Sequence, residues 1–276
     1  MRSTDRPGGV YRLHFLRGVL AVGGVIAFAV APSAAAEKPV VTVFAAASLR
    51  DAFDAAAPAF TKATGFPVRF SYGGSDTLVA QLLQGAPADV FASANEQQMK
   101  RAIDGGAVMA ARDFARNRLV VIVPANDAAV ATIADLGKKG VKVVVAAPAV
   151  PVGNYARQTF GNLAKDAAYG AGFAARVQAN VVSEETDVKA VATKIALGEG
   201  DAGVVYATDV TPAIAAKVRV LRFPAGAAPE AVYPIAVTKS AANAEGGRAF
   251  VEFITSPAGR AFLRARLRGM SARAAR

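Results

Sequence analysis

Eight runs along the chain are apolar at nearly every position: VTVFAA (41–46), VRFSY (68–72), ADVFASA (88–94), LVVIVP (119–124), VKVVVAAP (141–148), AGVVYA (202–207), KVRVLRF (217–223) and YPIAV (233–237). Strands of this kind are buried on both faces, as in parallel sheets covered by helices. Between them apolar residues recur at helical spacing, as in Leu49, Phe53, Ala56 and Phe60, and again in Val188, Val191, Ala192 and Ile195. The pattern predicts an α/β protein. Near the end, RAFVEFITSPAGRAFLRARL (248–267) reads as two helices, the second opened by Ser256-Pro257, because proline suits a first helical turn. No fixed-period repeat or low-complexity linker divides the chain after residue 36, which leaves room for one large domain or two lobes.

The N-terminus reads differently. Arg2, Arg6, Arg12 and Arg17 precede or enter an apolar run from Gly18 to Val30, and small residues Ala34 and Ala36 follow. This is the layout of a secretory signal, with residues 1–36 removed by a cut between Ala36 and Glu37 and a soluble, exported protein left behind. Losing four arginines and Asp5 takes the formal charge from +11 to +8, and six arginines between Arg260 and Arg276 account for all but +2 of the remainder. The basicity is thus a tail, expected to be a frayed, solvated end. No aromatic residue follows Phe262, so the stacking that single-stranded nucleic-acid binding wants is missing, and no nucleic-acid partner is expected.

The only histidine is His14, within the signal, and there is no cysteine. That removes Ser-His-Asp and Cys-His nucleophile systems, disulfides, and zinc sites built on His or Cys. It bears on YGGSDTL (72–78), where Ser75 follows two glycines at a strand-to-helix turn and looks like a nucleophile elbow. Ser75 has no imidazole base, and no Ser-x-x-Lys opens a nearby helix, so an exported serine hydrolase is the lesser reading.

Four junctions share one plan, a hydrophobic strand running into a helix start through small or hydroxyl residues. Ser48 in VFAAASLRDAF stands as an N-cap with Asp51 three residues on, and Ser75 does the same after glycines that let the backbone turn its N–H groups toward one point. Pro148 and Pro151 stop a strand before Val152-Gly153-Asn154 and Tyr155, and Thr186-Asp187 precede Val188. A helix start offers unpaired N–H groups and about half a positive charge, so several aimed at one point make an anion site from neutral donors. In α/β sheets such sites lie at the C-terminal ends of the strands.

The blocks VTVFAAASL, YGGS-x-TLVAQLLQGAPADVFASA, LVVIVP, P-x-VPVGNYA, GVVYATD and VYPIAV occur in this order. In them the chain resembles, from the start of the mature protein to about Leu263, the periplasmic molybdate-binding proteins (the ModA family) that feed ABC transporters. The resemblance implies a two-lobed periplasmic binding-protein fold of type II with the ligand in the cleft between lobes. The lobe boundaries it implies are 37–119 with 235–276 for lobe 1 and 120–234 for lobe 2, hinged near 118–122 and 230–235. It places the donors to the molybdate oxygens on Ser48 and Ser75 (hydroxyl and N–H), on the N–H groups of Val152 and Val188, and on the Tyr206 phenol, none of them a direct ligand of the metal. It implies a monomer that binds molybdate or tungstate, uses no cofactor, works in the periplasm with a membrane permease, and is not an enzyme. A binding protein for sulfate, phosphate or another oxyanion is the nearest alternative; iron(III) would want paired tyrosines.

The chain departs from the family at Gly73-Gly74, where a serine-rich loop is common, at Asp76 beside a donor, and in its arginine-rich end. The cavity radius that separates sulfate from larger oxyanions is expected to be set by Ala45–Ala47, Val152 and Val188. Ser75→Ala is expected to weaken binding and leave stability unchanged.

Overall fold

The computed structural model describes residues 38–126 and 129–271, with the side chains of 264 and 266–271 excluded. The signal segment with His14, the Ala36–Glu37 cut, and Arg273 and Arg276 lie outside the described residues. The first strand, β1 (Val41–Ala46), runs through a 3-10 turn into α1 (Arg50–Thr64), which ends where Gly65 takes a φ of 76° that other residues rarely adopt. There follow β2 (Val68–Gly73), α2 (Ser75–Leu83), β3 (Val90–Ala92), α3 (Glu96–Asp104) and β4 (Arg112–Asn117). Next come β5 (Leu119–Pro124), β6 (Val143–Ala146), α4 (Pro151–Leu163), α5 (Phe173–Ala179), β7 (Val181–Glu185), α6 (Val188–Ala196), β8 (Ala202–Tyr206) and β9 (Val218–Arg222). The chain closes with β10 (Ala231–Val237), α7 (Ala244–Thr255) and α8 (Pro257–Ser271).

The strands form two five-stranded sheets, ordered β2-β1-β3-β10-β4 and β7-β6-β8-β5-β9. The sheets are mixed, where the apolar runs alone suggested parallel ones. In the first, β1 pairs parallel with β2 and β3 while β10 is antiparallel to β3 and β4; in the second, β6 pairs parallel with β7 and β8 while β5 is antiparallel to β8 and β9. The cause is the connectivity. The chain leaves the first sheet after Asn117 and returns after Arg222, and each crossing delivers an antiparallel strand, β5 or β10, into the fourth place of its new sheet.

The helical spacings hold: Leu49, Phe53, Ala56 and Phe60 are buried against the first sheet, and Val188, Val191, Ala192 and Ile195 against the second. The first core is aromatic, with Phe53 and Phe60 edge-on to Phe250 at 5.4 and 5.2 Å, whereas the second is mostly valine and isoleucine. Each fully buried side chain of these kinds is worth about 1.5–3 kcal/mol.

The C-terminal end corrects the expectation of fraying from Arg260. The backbone stays helical to Ser271 because Ala, Leu and Arg are strong helix formers and Leu263 is buried. Among the described residues no helix is long and apolar enough to cross a membrane.

Candidate functional site

The C-terminal ends of β1, β2, β6, β7 and β8 meet at one cavity between the two sheets. It is lined by Ala46, Ala47 and Ser48 after β1, by Gly73-Gly74-Ser75 after β2, and by Ala94 after β3. From the other side come Val150-Pro151-Val152 at the start of α4, Asp187-Val188 at the start of α6, and Tyr206 at the end of β8. The empty space, counted to its open side, is about 210 Å³. All five residues singled out from the sequence, Ser48, Ser75, Val152, Val188 and Tyr206, therefore share one cavity. Ala45 does not line it: it is fully buried within β1, which leaves Ala46, Ala47 and the two valines as the apolar wall.

The two serines are not helix caps. Ser48 lies inside the 3-10 turn, and its Oγ is 3.1 Å from the Tyr233 hydroxyl. Ser75 is the first residue of α2 with Gly74 in the cap position, and its Oγ accepts the Ala94 N–H at 3.0 Å. A hydroxyl that accepts from a backbone N–H keeps its own proton to donate elsewhere. No carboxylate or lysine is hydrogen-bonded to Ser75 Oγ among the described residues, so nothing there would draw off its proton to make a nucleophile.

On the opposite side the donors are main-chain groups. Pro151 takes the first position of α4, where its missing N–H costs nothing, and Val152 follows in the same turn. Asp187 caps α6, its Oδ1 accepting the Lys189 and Ala190 N–H groups at 2.7 and 3.1 Å, which leaves the Val188 N–H uncapped. First-turn N–H groups have no intrahelical acceptor, so those of Val152 and Val188 are available to a ligand.

Tyr206 is the outlier. It is 1 % exposed, and its hydroxyl has no hydrogen-bond partner among the described residues. Burial, aided by the neighbouring Tyr233 and Tyr155, pushes its ionisation well above the ordinary phenol range, so it stays a neutral O–H donor. A buried hydroxyl without a partner costs about 1–3 kcal/mol and calls for a missing group. Behind it, Asp209 accepts the Tyr206 N–H at 3.1 Å and lies 3.4 Å from the Lys189 ammonium. Burial raises the Asp209 carboxyl to about 6, against the lowering effect of Lys189.

Gly74 is required for space, not for backbone freedom, since its φ of −61° suits any residue. A Cβ there would sit 2.6 Å from the Thr186 carbonyl oxygen across the cavity and 2.5 Å from Asp76 Oδ1. Gly153 plays the equivalent part within its own side: its Cβ would meet the Ala146 and Ala147 carbonyl oxygens at 2.3 and 2.2 Å, where α4 starts against the end of β6. Asp76 is not among the cavity-lining residues. Two further contacts cross the cleft, Gln98 Nε2 donating to the Ala149 carbonyl at 2.9 Å and Lys189 Nζ pairing with Asp51 Oδ2 at 2.6 Å.

The sequence reading missed Tyr233 and Asn117, which stand behind Ser48, and the cross-cleft role of Gly74. The Ser48–Tyr233 contact spans 185 positions, beyond any local pattern. The one available signal was Pro234, a proline inside an apolar run. It sits at a register shift in β10 that falls between Tyr233 and Pro234, in a strand with neighbours on both edges.

Residues 41–266 match the family described as bacterial extracellular solute-binding protein. The chain is 38% identical over 226 residues to the molybdate-binding protein ModA of Mycobacterium tuberculosis, covering 81% of this chain and 82% of that one. It is 32% identical over 249 residues to the molybdate-binding protein ModA of Escherichia coli, covering 86% and 92%. Among solved structures, the Azotobacter vinelandii periplasmic molybdate-binding protein shares the fold, with a TM-score of 0.70 at 24% identity over 82% of this chain and 97% of that one.

Proposed function

Because the chain belongs to the bacterial extracellular solute-binding proteins, in their ModA group, we propose that it captures molybdate, and tungstate with it, in the cavity between its two sheets and hands it to an ABC permease. The observation that carries this reading is the buried, unpartnered Tyr206 hydroxyl in a cavity it shares with the Ser48 and Ser75 hydroxyls, first-turn N–H groups and the helix-capping Asp187. A dianion leaving water loses a large hydration energy, which a set of aimed donors replaces. The hydroxyls and N–H groups of Ser48 and Ser75, the Val152 and Val188 N–H groups and the Tyr206 phenol donate to the oxygens and none touches the metal centre. Helix starts behind α2, α4 and α6 add their dipoles. With no cationic side chain lining the cavity, the ligand is held by fixed dipoles and is released when the two sides part.

The lobes of this reading are built on the two sheets and swing about the crossings near Asn117–Leu119 and between Arg222 and Ala231. Ser48 and Ser75 ride on one lobe and Val152, Val188 and Tyr206 on the other, so only the closed form completes the donor shell. The protein acts as a periplasmic monomer, without catalysis or cofactor, and Ala46, Ala47, Val152 and Val188 set a radius too large for sulfate. The test is the molybdenum retained by the purified protein after dialysis, counted by plasma mass spectrometry. One atom per chain is expected, and none after exposure to excess molybdate overturns the reading.

A further inference from the structure

Ser48 faces the cavity, but what fixes the direction of its hydroxyl lies behind it. Asn117, the last residue of β4, is buried, and its Oδ1 accepts the Arg118 N–H at 2.9 Å. That bond sets the amide's orientation, so its Nδ2 is the group that faces Thr208 Oγ1 at 2.7 Å and the Tyr233 hydroxyl at 3.2 Å. An amide NH₂ only donates, so the Tyr233 oxygen accepts from Asn117. The phenol, itself 1 % exposed and held neutral by burial, then has one proton to place. Of the two hydroxyls beside it among the described residues, Tyr206 makes no geometrically sound hydrogen bond and Ser48 Oγ lies at 3.1 Å, so the proton goes to Ser48. The Ser48 oxygen therefore accepts from behind, and its own proton points to the cavity.

We propose that Asn117 and Tyr233 are positioning residues, a one-way relay of hydrogen bonds from Asn117 Nδ2 through the Tyr233 hydroxyl to Ser48 Oγ that locks Ser48 as a donor toward the bound oxyanion. The proposal rests on the reading of the cavity as an oxyanion site. Ser75 is held by the same logic with a simpler device, since the Ala94 N–H occupies its oxygen. With both serines back-bonded, their hydroxyls turn protons toward the cavity. Two serines fixed as donors favour fully deprotonated tetrahedral anions over those that carry a proton, such as hydrogenphosphate, whose O–H meets two more donors. Neither Tyr233 nor Asn117 lines the oxyanion cavity; both line a second cavity, of about 420 Å³ counted to its open side, with Ser48, Thr208 and Leu263.

The test is a double-mutant cycle read by titration calorimetry, with thermal unfolding run on every variant. The full-length mature protein carries Tyr233→Phe, Ser48→Ala or both, and the titrants are molybdate and hydrogenphosphate. If Tyr233 acts through Ser48, Tyr233→Phe weakens molybdate about tenfold in the native background and not at all in the Ser48→Ala background. It also narrows the molybdate-to-hydrogenphosphate ratio, because the freed Ser48 oxygen can accept a proton. An equal loss in both backgrounds, or no loss in the first, overturns the relay. Should Tyr233→Phe fail to fold, Asn117→Asp serves in its place. Its carboxylate takes the Tyr233 proton, reverses the relay and turns Ser48 into an acceptor, so molybdate weakens while hydrogenphosphate strengthens; unchanged affinities for both would also overturn the proposal. Native protein that binds neither molybdate nor any other oxyanion sinks the oxyanion reading and this inference with it, whereas binding with a flat cycle sinks the inference alone.

Discussion

The two sides of the cavity follow one plan, strand ends running into helix starts, yet they supply donors of different kinds. On the side of β1 and β2 the donors are serine hydroxyls, each tied from behind: Ser48 to Tyr233 and Ser75 to the Ala94 N–H. On the side of β6, β7 and β8 they are backbone N–H groups of α4 and α6, plus one phenol with nothing behind its oxygen. The difference follows from the freedom of the groups. A helix already fixes an N–H, whereas a serine hydroxyl can rotate and either give or take, so it needs a second bond to become a dedicated donor. Tyr206 has no such bond: burial keeps its phenol protonated and its ring is packed 5.7 Å from that of Tyr233, so its place is fixed while its O–H awaits a partner.

The glycines test the comparison most severely. Gly153→Ala drives a Cβ into backbone oxygens of its own side and is expected to cost about 3 kcal/mol of stability, the upper end of overpacking. Gly74→Ala places the same clash across the cleft, at the Thr186 carbonyl. There the cost of about 1–3 kcal/mol falls on closure, so affinity drops roughly 5- to 150-fold while the midpoint of thermal unfolding without ligand barely moves. Calorimetry and melting on the two variants separate these outcomes.

Tyr206→Phe comes next. Losing a charge-assisted bond of about 1.5–3 kcal/mol weakens molybdate roughly 10- to 100-fold, and deleting an unpartnered hydroxyl leaves apo stability equal or higher in urea unfolding. Ser75→Ala sharpens the contrast, since here the hydroxyl has a partner. Affinity is expected to fall about tenfold, and stability by about 1–3 kcal/mol as the buried Ala94 N–H loses its acceptor, against the unchanged stability expected from sequence.

The smallest effect is on pH dependence. The Asp209 carboxyl, raised by burial to about 6 from 3.8, lends stability that is complete below 3.8 and lost as pH rises through 6. In urea unfolding from about pH 6.5 to about pH 5, the native protein should therefore gain about 1 kcal/mol relative to Asp209→Asn.

Much of this arrangement was legible in the chain. The runs at 41–46 and 119–124 are strands over those same residues, and the stop at Ser256-Pro257 does separate two helices. What escaped were β4 and β7, RDFARN and VVSEE, sheet-edge strands in which charged and exposed residues break up any apolar run. Edge position alone does not hide a strand, since β2 and β9 are edges too and their runs stood out; without an apolar run a strand reads as a loop. At the site, helix starts announce themselves through Pro151 and Asp187, which act locally. The groups that orient Ser48 and crowd Gly74 do not, because they come from strands and loops distant in sequence that only the folded sheets bring near.

The central claim is that two sides carrying only neutral donors close on a large tetrahedral dianion. Titration calorimetry of the mature protein with molybdate, tungstate and sulfate, at one pH and salt, tests it most directly. The account predicts tight one-to-one binding of molybdate and tungstate with no heat from sulfate; heat from sulfate alone, or from none of the three, would contradict it.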